Sequence, residues 1–456
     1  MLGDPWLENL EEIAAREDRS LSNTCVRLLK QAYLDEPTQS SHSEWPSARA
    51  NAIGLTFQDS KRLPHFGWFP YVEGFSAPYV NEVLTRYGVR RAVYDPFGGS
   101  GTTQLAASLM GVPSWYSEVN PFMRFVAETK VASARIARDD LRGSQELLNQ
   151  FISRIDTELA IRADGVDLSN YEAAFPGRGF FEERDIRELL AALDLASEIA
   201  VHNEAVHNLL RLAVSANAVH SSNMTRRADL RRRRADEYKS RVVDVRKLVT
   251  SSVAQIARDL EQRPPVAESM TFVSSDCRMV PDEFLGAFEI AITSPPYLNG
   301  TNYFRNTKIE LWLLGFIAGE QELGRFRNEA IAAGINNVSR SRPAHRPYES
   351  VEDVAAKLDA CAGDRRIPTL VRHYFSDMSA VMESVHRVLE PGGRFVFDIG
   401  DSKFYGVHVP TDQLLEDIAR EVGFTVESSR VLARRYSRDK SELVQRELVF
   451  RKDGNK

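Results

Sequence analysis

The stretch RAVYDPFGGSGTTQLAASLMG, residues 91–111, constrains the fold more than any other part of this chain. RAVYDPF reads as a short buried strand, GGSG as a tight turn, and TTQLAASLMG as a helix that Gly111 stops. SWYSEV then reads as a second strand ending at Asn120-Pro121, and MTFVSSD and FEIAITS as two more. A mixed segment over 300–365 leads to a helix over 368–389, the turn EPGG and the strand RFVFDIGD. FTVESSRVLARR and ELVQRELVFRK close the chain as antiparallel partners. Strands alternating with helices predict an α/β fold with a mainly parallel, doubly wound sheet. From about 122 to 262 the pattern is almost wholly helical, interrupted near NYEAAFPGRGF, which predicts a large helical insertion.

The 456 residues give room for one large or two medium domains. No apolar stretch approaches the roughly 20 residues of a membrane span, and MLGDPWLENLEEIAARED is acidic and helical in pattern rather than a signal peptide. Cys25, Cys277 and Cys361 lie far apart with no CxxC pair, so neither disulfides nor zinc are expected, and a reducing, cytoplasmic setting is. Residues 5–34 read as two short helices, followed by a linker-like DEPTQSSHSEWPS. RSLSNTCVRLLKQAYL reads as a packing helix and also resembles a ribbon-helix-helix DNA-binding segment.

In DPFGGSGTT an acid ends a strand and glycines form the loop before a helix. Gly99 and Gly101 let the backbone turn sharply and approach a ligand, and the helix start offers free N–H groups. No lysine follows, and Gln104 stands where G-x-G-x-x-G needs its last glycine, so neither phosphate-binding pattern is met. The loop suits a nucleoside without phosphates, with Glu118 at the tip of the next strand placed to accept from ribose hydroxyls.

DPFGGSGTT followed by TSPPY, residues 293–297, resembles the S-adenosylmethionine-dependent amino DNA methyltransferase family, which acts on cytosine N4 or adenine N6. The resemblance implies a Rossmann-like methyltransferase fold, assembled from 48–130 and 266–456, with 1–47 an N-terminal helical segment and linker. The insertion, 131–265, becomes a candidate DNA-binding and target-recognition region. Carried over residue by residue, the methionine part of the cofactor falls to Asp95, Pro96, Phe97, Gly99, Ser100, Gly101 and Thr102. The ribose falls to Glu118, the adenine side to Asp276, and further contacts to Phe75 and Ser76 in the aromatic segment FPYVEGFSAP.

TSPPY then has a mechanism in which Ser294, Pro295, Pro296 and Tyr297 are the catalytic set. An exocyclic amine is conjugated with its ring and is a poor nucleophile. Acceptors gripping its two N–H protons in tetrahedral geometry draw the lone pair out of conjugation. The Ser294 hydroxyl and Pro295 carbonyl can supply them, proline rigidity fixing the carbonyl's direction. Tyr297 offers a flat face to an extruded base, since the target atom is out of reach inside a duplex. Nothing in this chemistry calls for a metal. C5 methylation of cytosine needs a Pro-Cys nucleophile, and none of the three cysteines follows a proline.

Net charge is −6, so a nucleic-acid surface must be a local patch. Residues 226–247 carry ten Arg/Lys against four Asp/Glu, and on a helix Arg227, Arg231 and Arg234 would share a face with Arg226 beside them. NNVSRSRPAHRPY, with Arg340 and Arg342, is a candidate specificity loop, and ARRYSRDK, 433–440, a charged hairpin. Double-stranded DNA is therefore the expected partner, with a cognate restriction nuclease as the companion such systems carry. Serine before Pro-Pro leans, within the family, to cytosine N4. The alternatives are adenine N6, RNA guanine N2, and a catalytically dead DNA-binding regulator. The cofactor half precedes the catalytic half here, the reverse of many cytosine-N4 enzymes, and the insertion comes earlier than the usual recognition position.

Overall fold

A computed structural model describes residues 60–69, 74–226, 230–238, 241–262, 269–298, 303–327, 329–338, 345–436 and 439–454. The N-terminal helices and the ribbon-helix-helix resemblance lie outside these residues, as do Arg227, Arg340 and Arg342. All described residues belong to one compact unit, 50–456.

Seven strands make the central sheet: β1 Val93–Asp95, β2 Ser114–Ser117, β3 Met270–Ser274, β4 Phe288–Thr293, β5 Leu389–Gly400, β6 Phe424–Tyr436 and β7 Glu442–Lys452. Their spatial order is β6-β7-β5-β4-β1-β2-β3. β1 pairs parallel with β2 and β4, β2 with β3, and β4 with β5, while β7 is antiparallel to both β5 and β6. This is the expected Rossmann-like fold, mainly parallel with an antiparallel C-terminal strand. The order reverses between β1 and β4, and open α/β sheets bind ligands outside the carboxyl ends of strands at such a reversal.

β4 is buried along nearly its whole length, as a strand covered on both faces must be. Phe288 stacks on Tyr94 of β1 with ring centroids 5.0 Å apart and on Phe284 at 5.9 Å. The EPGG turn is absorbed into β5: Phe288 pairs with Leu389 but Ile290 with Arg394, so Glu390–Gly393 bulge out of the ladder. One core lies between the sheet and the helices Glu349–Cys361, Arg366–Val388 and Thr411–Val422. A second joins the insertion helices Leu141–Asp164, Glu183–Ile199, Glu204–Ala216 and Val245–Gln262 to Phe122 and Phe125 and to Phe304, Leu311 and Phe326 beyond β4. The insertion thus shares its core with the segments that flank the sheet's carboxyl edge. Asn120 ties them locally: it caps helix Pro121–Asp139 through Phe122 N and donates to Thr307 Oγ1 at 2.8 Å.

The basic run is not the expected helix. Met224–Arg226 and Leu230–Arg232 pair as an antiparallel hairpin, followed by a short turn at Ala235–Glu237. Tertiary contacts override the helical pattern: Met224 and Leu230 sink into the helical core, and Leu230 N donates to Asn306 Oδ1 at 2.6 Å.

Candidate functional site

The carboxyl ends of β1, β2, β3 and β4 open on one cleft enclosing ≈ 990 Å³, part of it open to solvent. Its walls include Phe75, Asp95–Ser100, Thr102, Glu118, Cys277, Ser294 and Pro296, closed by the segment that bears Ile331 and Asn337. The glycine-rich loop, the acid after β2 and the serine of TSPPY, scattered over some two hundred residues of sequence, therefore face one space.

Asp95 is buried, and its Oδ1 accepts from Phe97 N at 3.0 Å and from Thr293 Oγ1 at 2.6 Å. That second bond links the glycine loop directly to the residue before Ser294. Burial pushes the Asp95 carboxyl up to about 6 despite these donors. Glu118 accepts from Gly99 N and from Asn120 N, one on each oxygen and both at 2.8 Å. Burial raises its carboxyl to about 7. Glu118 lines the cleft, and a carboxylate has acceptor capacity beyond these two bonds, as two vicinal hydroxyl donors would require.

Gly101 sits at φ +81°, and a Cβ there would lie 2.8 Å from Ala127 Cβ. Behind the loop, buried Lys130 donates from Nζ to Ser100 O at 3.2 Å, and burial draws its ammonium down to about 7.

At TSPPY, Ser294 and Pro296 line the cleft, whereas Pro295 is buried and the Tyr297 ring is held beside them. Tyr297 OH donates to Asp398 Oδ2 at 2.9 Å, and Gln445 Nε2 donates to both, at 2.9 Å to the hydroxyl and 2.6 Å to the carboxylate. Burial raises the Asp398 carboxyl, against the hydrogen-bonding pull of Ser294, Tyr297 and Gln445. Asp398 is thus a neighbouring acceptor toward which the Ser294 hydroxyl hydrogen can turn.

Other expected residues stand apart from the cleft. Ser76 is the N-cap of helix Ala77–Arg86, its hydroxyl accepting from Tyr79 N at 3.2 Å. Asp276 is engaged by its own neighbour, with Arg278 Nε and Nη2 donating at 2.9 and 2.7 Å, so Ser275 and Cys277 line the wall in its place. Burial pushes the Cys277 thiol well above its usual value, which disfavours a nucleophilic thiolate. Arg226 donates to Asn306 O and to buried Glu310 at 2.5 Å, Arg231 makes a two-pronged pair with Glu237 at 2.9 and 2.8 Å, and Arg234 is exposed.

Asp398, Gln445 and Lys130 escaped the sequence reading. Asp398 carried a signal, since it lies two residues before the end of β5 in FDIGD, near the strand end as Asp95 is at the end of β1. Gln445 and Lys130 carried none, being placed by an antiparallel strand and by a helix passing behind the loop.

No family model matches the chain. It is 26% identical over 412 residues to the type II methyltransferase M.AvaI of Nostoc sp., covering 83% of each protein, and equally to M.AvaI of Anabaena variabilis. It is 22% identical over 426 residues to the type II methyltransferase M.BsoBI of Geobacillus stearothermophilus, covering 81% of this chain and 80% of that one. Among solved structures, it is 10% identical to a SAM-dependent methyltransferase from Methanosarcina mazei, covering 82% of this chain and 98% of that one with a TM-score of 0.30. This chain is therefore similar, over most of its length, to type II methyltransferases.

Proposed function

We propose that the protein is a type II DNA methyltransferase that moves a methyl group from S-adenosylmethionine to cytosine N4 of a flipped base in duplex DNA. One observation carries the reading: Ser294 and Pro296 line the same cleft as Asp95, Gly99 and Glu118. The relatives over most of the chain are type II methyltransferases, which favours DNA as the substrate and a restriction partner beside it.

The residues present fit the cofactor. Glu118 keeps acceptor capacity for a ribose diol, Phe75 and Phe97 give apolar wall, and Asp95 sets a carboxyl near the loop that would hold an α-amino group. When bound, the cofactor supplies an electrophilic sulfonium methyl. The chain's own work is orientation. Ser294 Oγ accepts a hydrogen bond from one amine N–H, with its own hydrogen turned to Asp398, and the Pro295 carbonyl accepts from the other N–H. The one proton the amine loses on methylation passes along the Ser294–Asp398 bond to the carboxylate. Tyr297, fixed by Asp398 and Gln445, gives the extruded base a ring that does not swing. Nucleoside mass spectrometry of digested, enzyme-treated DNA tests the base: N4-methylcytosine is expected, and N6-methyladenine would overturn the assignment.

The Glu118 carboxyl predicts a pH dependence. Ribose hydroxyls donate to the ionised form, so the bound state has a lower pKa than the value of about 7 in the free protein. Cofactor affinity is then flat above about pH 8 and weakens as pH falls through about 7, by up to about tenfold per unit. Calorimetry over a pH series checks this, and Glu118→Gln should weaken binding and flatten the slope. Wild-type affinity that stays constant down to about pH 5.5 would remove Glu118 from the ribose.

A further inference from the structure

We propose that the free end of the β6–β7 hairpin grips the phosphodiester backbone of duplex DNA beside the catalytic motif, an inference that rests on the DNA methyltransferase reading. β7 pairs with β5 only from Gln445, opposite Gly400, to Arg451, opposite Arg394. β6 and β7 go on pairing to Tyr436 and Glu442, so their end runs past the carboxyl end of β5, the edge on which the cleft opens. It reaches the catalytic motif closely. Arg435 Nη2 donates to Asp401 O at 2.7 Å, and a Cβ at Gly400 would lie 2.5 Å from that nitrogen and 3.1 Å from Tyr297 Cε2.

The charge there is of the required sign. Residues 430–446 carry six Arg/Lys against two Asp/Glu, a local net of +4 (6 − 2) in a chain whose total is −6. Lys403, on the short strand Ser402–Phe404, joins the patch through its ion pair with Asp439 at 2.5 Å. The Arg434–Glu442 pair is exposed, and such a pair contributes little in water, so a phosphate can take the guanidinium over at small cost. Tyr436 stands 69% exposed beside them.

Three arginines of the competing patch are committed elsewhere. Arg226 answers a buried carboxylate, and Arg232 donates to the carbonyls of Arg178 and Gly179 at 2.8 and 3.0 Å. Arg231 is half-buried in its pair with Glu237. Freeing Arg226 for phosphate would leave a buried carboxylate unpaired, whereas the Glu442 that Arg434 would release is exposed and water can solvate it.

The test is the salt dependence of binding to a random-sequence duplex fragment, with cofactor affinity measured by calorimetry on the same preparations. The Arg434→Gln, Lys440→Gln double variant should lower the log-log slope by about 0.9 for each phosphate no longer neutralised, with cofactor affinity unchanged. Arg231→Gln with Arg234→Gln should leave the slope as it is. A wild-type slope in the first variant, or a reduced slope in the second, overturns the assignment of this surface. Absence of salt-dependent duplex binding by the wild type would instead bring down the DNA reading, and this inference with it.

Discussion

Replacing Ser294 with alanine should lower turnover by about 10²-fold or more while cofactor affinity stays within about twofold. The hydroxyl lines the cleft just past the end of β4, and in the proposed reaction it accepts a hydrogen bond from one amine N–H. Its removal spares what builds the pocket: the Thr293–Asp95 bond, the Gly99–Glu118 bond, and the grip of Tyr297 and Gln445 on Asp398. The loss therefore belongs to the methyl-transfer step and not to the fold. Single-turnover kinetics beside calorimetry separate the two. A variant that keeps turnover within about threefold would show that Ser294 does not hold the amine.

Gly101→Val should act on the opposite side of that division, removing cofactor binding. The residue sits at φ +81°, and a Cβ would meet Ala127 Cβ at 2.8 Å and Ala127 Cα at 2.9 Å, on a helix backbone that cannot rotate away. The left-handed conformation costs an L-residue about 1–2 kcal/mol, and overpacking adds about 1–3 kcal/mol. The loop relieves this by moving, which carries Gly99 N–H off Glu118 and spoils the ribose site. Affinity should drop more than about tenfold, since each 1.4 kcal/mol is worth a factor of ten. Gly111→Ala is the control: its φ is +71°, but nothing lies within 4 Å of the added Cβ. That variant should lose some stability and keep its cofactor affinity. Equal affinities in both variants would mean the loop is not the cofactor's seat.

The parts of the site legible in sequence were those whose signal is local. Asp95, the glycines and Glu118 occupy strand ends and a turn that a short window identifies, and Asp95, Gly99 and Glu118 all face the cleft. The antiparallel C-terminal pair was equally legible, because β6 and β7 are consecutive with a short connection. Other expectations met side chains already engaged by partners, some near in sequence and some far. Asp276 has the right position after β3, but Arg278, two residues on, takes both its oxygens. The basic run has helical composition, yet Asn306 and Glu310, some eighty residues away, hold Arg226 and Leu230 in a hairpin. Ser76 matched the family's aromatic segment while its hydroxyl was already needed to cap a helix. Such competition for a side chain is invisible until the partners are brought together.

Methyl-labelled S-adenosylmethionine tests whether the glycine loop and TSPPY form one transfer site. The purified protein is incubated with the labelled cofactor and either duplex DNA or structured RNA, and label on the nucleic acid is counted. Label on duplex DNA, absent from RNA and lost in Ser294→Ala, is the predicted result. Cofactor that binds but passes no label to DNA, or passes it only to RNA, would contradict the account.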